Sequence, residues 1–144
     1  PDRIQECLDL EAEWCKVNNC DQQAGTGNER RALIYALHNF EALGLTGGIL
    51  HVNGKIVAFT FGMPINHETF GVHVEKADTS IEGAYAMINY EFANRIPEQY
   101  IYINREEDLG IEGLRKAKLS YQPATILEKY MACLKEHPMN MVKW

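Results

Sequence analysis

The apolar positions of this chain switch between a helical period and a period of two, and the switches mark its elements. Over residues 2–17, Ile4, Cys7, Leu8 and Cys15 fall near one face with Trp14 beside them. Asp9, Glu13 and Lys16 point outward, so the spacing predicts a helix. Residues 18–27 are polar and glycine-bearing and read as a loop. Asn28 suits the N-cap of a second helix, striped by Leu33, Ile34, Leu37 and Phe40, with Gly44 at the C′ position. Asn53-Gly54 between the apolar runs 45–52 and 55–63 predicts an antiparallel hairpin with a type I′ turn. Its second arm sets Ile56, Ala58 and Thr60 against Val57, Phe59 and Phe61. Both sets are largely apolar, so both faces of this strand are expected to be covered. Residues 69–76 form a third strand, with Phe70, Val72 and Val74 on one face and Gly71, His73 and Glu75 on the other.

Thr79 and Glu82 spell a capping box before a helix striped by Ile81, Ala84, Tyr85, Ile88, Phe92 and Ile96. Pro97 ends it. Residues 100–104 read as a strand, 111–119 as a helix and 124–134 as a last strand. The polar tail 135–144 is expected to be loosely held. The order is α-α-β-β-β-α-β-α-β, an antiparallel meander feeding a crossover helix and a parallel neighbour. That is a mixed α/β sheet flanked by helices, in one domain over 1–134.

Composition narrows the picture. The chain has 144 residues, 46% apolar and 24% charged, as in an ordinary soluble domain with a real core. It carries no apolar run long enough to span a bilayer, and no signal peptide is visible. It begins with Pro1, so an upstream segment is expected. A net charge of −6 disfavours generic nucleic-acid binding. Positive charge is local: Arg115, Lys116 and Lys118 follow Arg105 in sequence. They serve a phosphate-bearing ligand or balance the dipole of their helix. The four cysteines form no Cys-x-x-Cys, and Cys7 and Cys15 fall on the apolar side of a helix. Free thiols in a cytoplasmic setting are expected.

The stretch 100–123 concentrates the candidate chemistry. A β-rich run enters a charged turn, and a short helix with basic residues in its last turns follows. Such a strand end is where α/β proteins bind ligands. On the third strand, His73 and Glu75 offer a general base or a solvent-facing strip. His73-Val74-Glu75 also spells the His-x-Glu of zinc deaminases. Those need Pro-Cys-x-x-Cys downstream and only Cys133 follows, so no metal site is expected.

The element order resembles the GNAT (Gcn5-related N-acyltransferase) fold, with the first strand lacking or supplied upstream. In that fold the third meander strand splays from the strand after the crossover helix, and the wedge holds the acyl donor. The run Tyr102-Ile103-Asn104-Arg105-Glu106-Glu107-Asp108-Leu109-Gly110, then Gly113-Leu114-Arg115-Lys116-Ala117-Lys118 and Tyr121-Gln122-Pro123, is more specific. It resembles a family of bacterial proteins of unassigned activity, grouped with the C-terminal domain of phosphatidylglycerol lysyltransferases. Those enzymes pass an aminoacyl group from charged tRNA to a lipid head group. Stand-alone members carry two GNAT-like halves, and this chain resembles the second, which implies an N-terminal GNAT-like half as partner.

Acetyl-CoA enzymes of this fold carry Gln/Arg-x-x-Gly-x-Gly/Ala before the crossover helix, where N–H groups hold the pyrophosphate. Here Gly83 takes the first glycine place, but Ser80 and Tyr85 replace the Gln/Arg and the last small residue. Asp78 and Glu82 add carboxylates that repel phosphate. The departure disfavours CoA held in the usual manner and suits charged tRNA as donor; acyl-CoA stays as the alternative. Acyl transfer needs a base, oxyanion donors and a cation for phosphate, and the candidates are Glu75 or His73 as base, Tyr121 as acid, Asn104 and Arg105 on substrate or oxyanion, and Arg115 and Lys118 on phosphate; the resemblance implies the place of the site and not these roles. The competing reading is a scaffold half without chemistry. A catalytic half predicts an open cleft beside Asn104, and a scaffold half predicts Arg105 buried against Asp108 or Glu106.

Overall fold

The structure is a computed structural model that describes residues 3–19, 26–108, 110–130 and 132. The chain divides into two compact units, Pro1–Glu106 and Glu107–Trp144. In the first, helices α1 (Ile4–Val17) and α2 (Thr26–His38) precede the strands β1 (Thr46–Val52), β2 (Lys55–Pro64) and β3 (Thr69–Ala77). Helix α3 (Ala84–Ala93) and strand β4 (Tyr102–Asn104) follow. The sheet order is β1-β2-β3-β4, with the first two pairings antiparallel and the last parallel. The second unit holds α4 (Glu112–Leu119).

Local chemistry explains the boundaries. Gly44, at φ +64°, closes the turn after α2 with two bonds, Leu45 N–H to the Phe40 carbonyl and Gly44 N–H to the Glu41 carbonyl. That is a Schellman closure, and a side chain there would be strained. Asn53 and Gly54 both take positive φ, as a type I′ turn requires, and Val52 pairs with Lys55 across it. Helix α2 begins at Thr26, before the Asn28 cap predicted for it.

The core lies on both faces of the sheet. Cys7, Leu10, Leu33 and Leu37 of α1 and α2 pack on Ile56, Phe59 and Phe61. On the other face, Ala84, Ile88 and Phe92 of α3 pack on Ala58, Ala77, Phe70 and Val72. Residues 56–62 are therefore buried throughout.

Two β-bulges change which residues share a face. Between β1 and β2 the register slips at Leu50/His51, leaving Val57 as the extra residue. Ile56 thus packs with Phe59 and Phe61, while Ala58 faces α3. Between β2 and β3 the register slips at Phe61/Gly62, leaving His73 extra on β3. Phe70 and Val72 face α3, but Val74 packs on the α1–α2 side. This corrects the predicted alternation on both strands, because one inserted residue inverts every position beyond it. At the second bulge the Thr60 hydroxyl donates to the Val74 carbonyl at 2.8 Å. A Cβ on Gly62 would lie 1.8 Å from the Gly71 carbonyl oxygen, so the close approach needs glycine.

Other expectations are also revised. The Thr79–Glu82 capping box does not form: Asp78 Oδ1 accepts from the Ser80 N–H and hydroxyl, Gly83 sits at φ +79°, and α3 starts at Ala84. A short side chain that satisfies its own turn outcompetes the helix cap. Strand β4 covers only 102–104, since Tyr100 N–H turns back to the Pro97 carbonyl and its ring meets Phe70 edge-on. Residues 124–130 are exposed and lie in no strand, against the strand predicted over 124–134; residues 131, 133 and 134 lie outside the described residues. So does the predicted tail 135–144. Cys7 is a free thiol, and burial pushes it up to about 11. Cys15 is disulfide-bonded, which corrects the free thiol expected there.

Candidate functional site

Strand β3 is held differently on its two edges. Along β2 the pairing runs from Phe70 to Ala77. Along β4 it consists of Thr69–Tyr102, Phe70–Ile103 and Gly71–Asn104, and stops there. Beyond Gly71 and Asn104 no further backbone pair joins the two strands among the described residues.

The end of the pairing is built into the chain at Asn104. Its Oδ1 accepts the Glu106 N–H at 2.8 Å, and Glu106 takes φ +55°. The side chain thus bends the backbone away from the extended path. Asn104, expected on substrate or oxyanion, spends its oxygen on this turn. Charged side chains span the fork. Arg105 Nη2 donates to Glu75 Oε1 at 2.7 Å, and Asn89 of α3 donates to Glu75 Oε2 at 3.2 Å. His73 Nδ1 lies 2.5 Å from Glu106 Oε1. Glu75 is the most enclosed of the charged groups, its side chain 11% exposed against 25% for Arg105. His73 Nε2 is buried and has no hydrogen-bond partner among the described residues.

The structure thus brings together four residues expected in the site: His73, Glu75, Asn104 and Arg105. The scaffold form predicted Arg105 against Asp108 or Glu106; the guanidinium reaches across the fork to Glu75. Glu106 and Asn89 were missed as site residues. Glu106 sits in the quoted motif, and its φ is not legible from residue type; Asn89 lies in an apolar helix with no local mark. Arg115, Lys118 and Tyr121 belong to the second unit. There Arg115 Nε pairs with Asp108 Oδ2 at 2.5 Å, and Asp108 Oδ1 accepts the Gly110 N–H. Those two hydrogen bonds, the guanidinium first, hold the Asp108 carboxyl below the usual carboxylate range. Lys129 pairs with Glu107 in the same unit.

The loop before α3 is held by its own side chains. The Asp78 carboxyl is held low by the Ser80 hydroxyl and N–H. Tyr85, in the place of a small residue, accepts a hydrogen bond from Trp14 Nε1 at 2.8 Å, and burial pushes its hydroxyl up. A cavity of about 220 Å³ lies on the α1–α2 side, lined by Cys7, Leu37, Phe40, Gly48, Phe59 and Thr60 among others.

The family described as phosphatidylglycerol lysyltransferase, C-terminal, matches residues 1–133. This chain belongs to that family. A crystal structure of a conserved protein of unknown function from Bacteroides thetaiotaomicron VPI-5482 is 98% identical. It aligns with TM-score 0.90 over 94% of this chain and 46% of that one. The chain therefore spans about half the length of that relative. Two further structures share the fold. A ribosomal-protein-alanine N-acetyltransferase from Brucella melitensis biovar Abortus 2308 aligns with TM-score 0.63 and 14% identity, over 92% of this chain and 94% of that one. A possible acetyltransferase from Clostridium difficile 630 aligns with TM-score 0.60 and 10% identity, over 92% of each. No curated protein sequence matches the chain. The fold is the GNAT acyltransferase fold, a mixed four-stranded sheet with flanking helices. Among the described residues no helix is long and apolar enough to cross a membrane.

Proposed function

We propose that this chain is an acyl-transfer domain that takes an aminoacyl group from charged tRNA and works beside an N-terminal GNAT-like half of the same protein. The observation that carries the reading is the fork: β3–β4 pairing stops after Gly71 and Asn104, and ionisable side chains bridge the two segments beyond it. The chain acts as one GNAT-like domain over 1–134, in keeping with the family match over 1–133. Its span of 46% of the near-identical relative leaves room for a second half.

The reaction is attack of an amine or hydroxyl on an ester. It needs a base, an oxyanion donor and a cation for the donor's phosphates. His73 and Glu75 are the candidate bases and Arg105 is the oxyanion or substrate contact, all three within the first unit. The donor preference rests on the loop before α3. Its carboxylates and the engaged Tyr85 hydroxyl disfavour a CoA pyrophosphate. A cytoplasmic setting follows from a charged-tRNA donor, and fractionation that places the full-length protein outside the cytoplasm overturns it.

One observation favours the second reading, a scaffold half. Both Glu75 oxygens and the Asp108 carboxylate are already engaged by protein groups. Thermal stabilisation of the full-length protein separates the readings. A non-hydrolysable aminoacyl-tRNA analogue is expected to raise Tm while micromolar acetyl-CoA leaves it unchanged. A rise with acetyl-CoA overturns the donor, and no rise with either favours the scaffold.

A further inference from the structure

We infer that His73, oriented by Glu106, is the general base of this site, and that Glu75 is a positioning residue for Arg105. The inference rests on the transfer reading and divides its roles. Glu75 has each oxygen occupied, Oε1 by Arg105 and Oε2 by Asn89. Both of its oxygens already accept hydrogen bonds from protein donors. Glu75 fixes the guanidinium plane instead. His73 is the reverse case. Its Nδ1 meets a carboxylate oxygen, which only accepts, so Nδ1 carries the hydrogen. In the neutral ring Nε2 is then a lone pair, and that atom is buried and unpartnered. An N–H in that place would be an orphaned buried donor. One ring edge is thus committed to a protein carboxylate and the other is left for a proton from elsewhere.

The bulge produces this placement. His73 is the extra residue of β3, outside the paired register, so it is not bound to either face of the sheet. Gly71, two residues earlier, lies beside the ring: a Cβ there would lie 3.4 Å from His73 Cε1 and 2.9 Å from Ile65. Bulges often re-aim a side chain beside a site in this way.

The step balances without a cofactor. Nε2 takes the proton of the acceptor amine or hydroxyl as its nitrogen or oxygen bonds to the donor's acyl carbon. The ester C–O bond then breaks, and the imidazolium returns the proton to the leaving oxygen. No atom changes oxidation state.

The test uses the full-length protein labelled with ¹⁵N-histidine, at a pH where the rings are neutral. Long-range ¹H–¹⁵N correlation is expected to show His73 as the Nδ1–H tautomer, assigned with His73→Gln or, if that variant does not fold, His73→Asn. Glu106→Ala is expected to shift it toward Nε2–H. An Nε2–H ring in the unaltered protein, or a tautomer ratio indifferent to Glu106→Ala, overturns the inference. Single-turnover transfer from an aminoacyl-tRNA to an amine acceptor is expected to fall at least about 100-fold in His73→Gln and less than about tenfold in Glu75→Gln. The opposite ranking overturns it too. Absence of any transfer sinks the proposed function, and the tautomer then decides the His73–Glu106 geometry alone.

Discussion

The two edges of β3 are a controlled comparison within one strand. Its β2 edge carries a backbone ladder over the whole strand, covered by helices on both faces. Its β4 edge carries three residue pairs and then side-chain bridges, Arg105 to Glu75 and His73 to Glu106. Backbone pairing repeats along a strand and excludes everything else from that edge. Side-chain bridges span a wider gap, and their groups can exchange partners. A strand that must both anchor a sheet and present chemistry therefore separates the two tasks, one to each edge.

The largest expected effect breaks the anchored edge. Gly62→Ala puts a methyl against the Gly71 carbonyl oxygen, 1.8 Å away in the undistorted backbone. The ladder must shift, and a loss of about 3 kcal/mol is expected in denaturant unfolding. A loss under about 1 kcal/mol shows that the bulge yields easily. The functional edge responds less in stability. Arg105→Ala leaves the enclosed Glu75 with Asn89 as its remaining donor, and about 2 kcal/mol is expected, because the pair is partly exposed. The fold should survive and ligand-induced stabilisation should disappear. Unfolding of the domain by this one change supports the scaffold reading.

The smallest effect sharpens the comparison through pH. Cys7 lies under the anchored edge, and its folded pKa, raised by burial to about 11, exceeds the ordinary 9.0. The folded state therefore holds the thiol proton more tightly than the unfolded state. The contribution is complete below pH 9 and is lost as pH rises toward 11, up to about 2–3 kcal/mol. The difference in unfolding free energy between the unaltered protein and Cys7→Ala should narrow across that window. A difference constant with pH shows that the thiol is not enclosed.

Much of the architecture was legible from local spacing. The Asn53-Gly54 turn, the Gly44 closure, the stripe through Ala84, Ile88 and Phe92 and the order of elements up to α4 need only near neighbours in sequence. The resemblance carried by Asn104 to Gly110 also pointed to the β3–β4 edge, where pairing stops after three residue pairs. The strand faces were not legible. Period-two alternation is a local rule, and a bulge exists only in the register with a partner strand. Val57 and His73 carry no mark in the residue string that sets them apart as extra. The Thr79–Glu82 box failed because Asp78 and Gly83 satisfied the same turn first.

By itself the sequence determined which segments up to α4 are helix and strand and the family, and it offered His73, Glu75 and Arg105 as candidates for one site. Only tertiary structure decided their pairing. Glu75 meets Arg105 and His73 meets Glu106 across sequence separations that no helix or turn spans. The turn at Asn104 and the bulge at His73 set which side chain reaches which. Both are properties of two strands held together and then released, and neither exists in a chain considered one segment at a time.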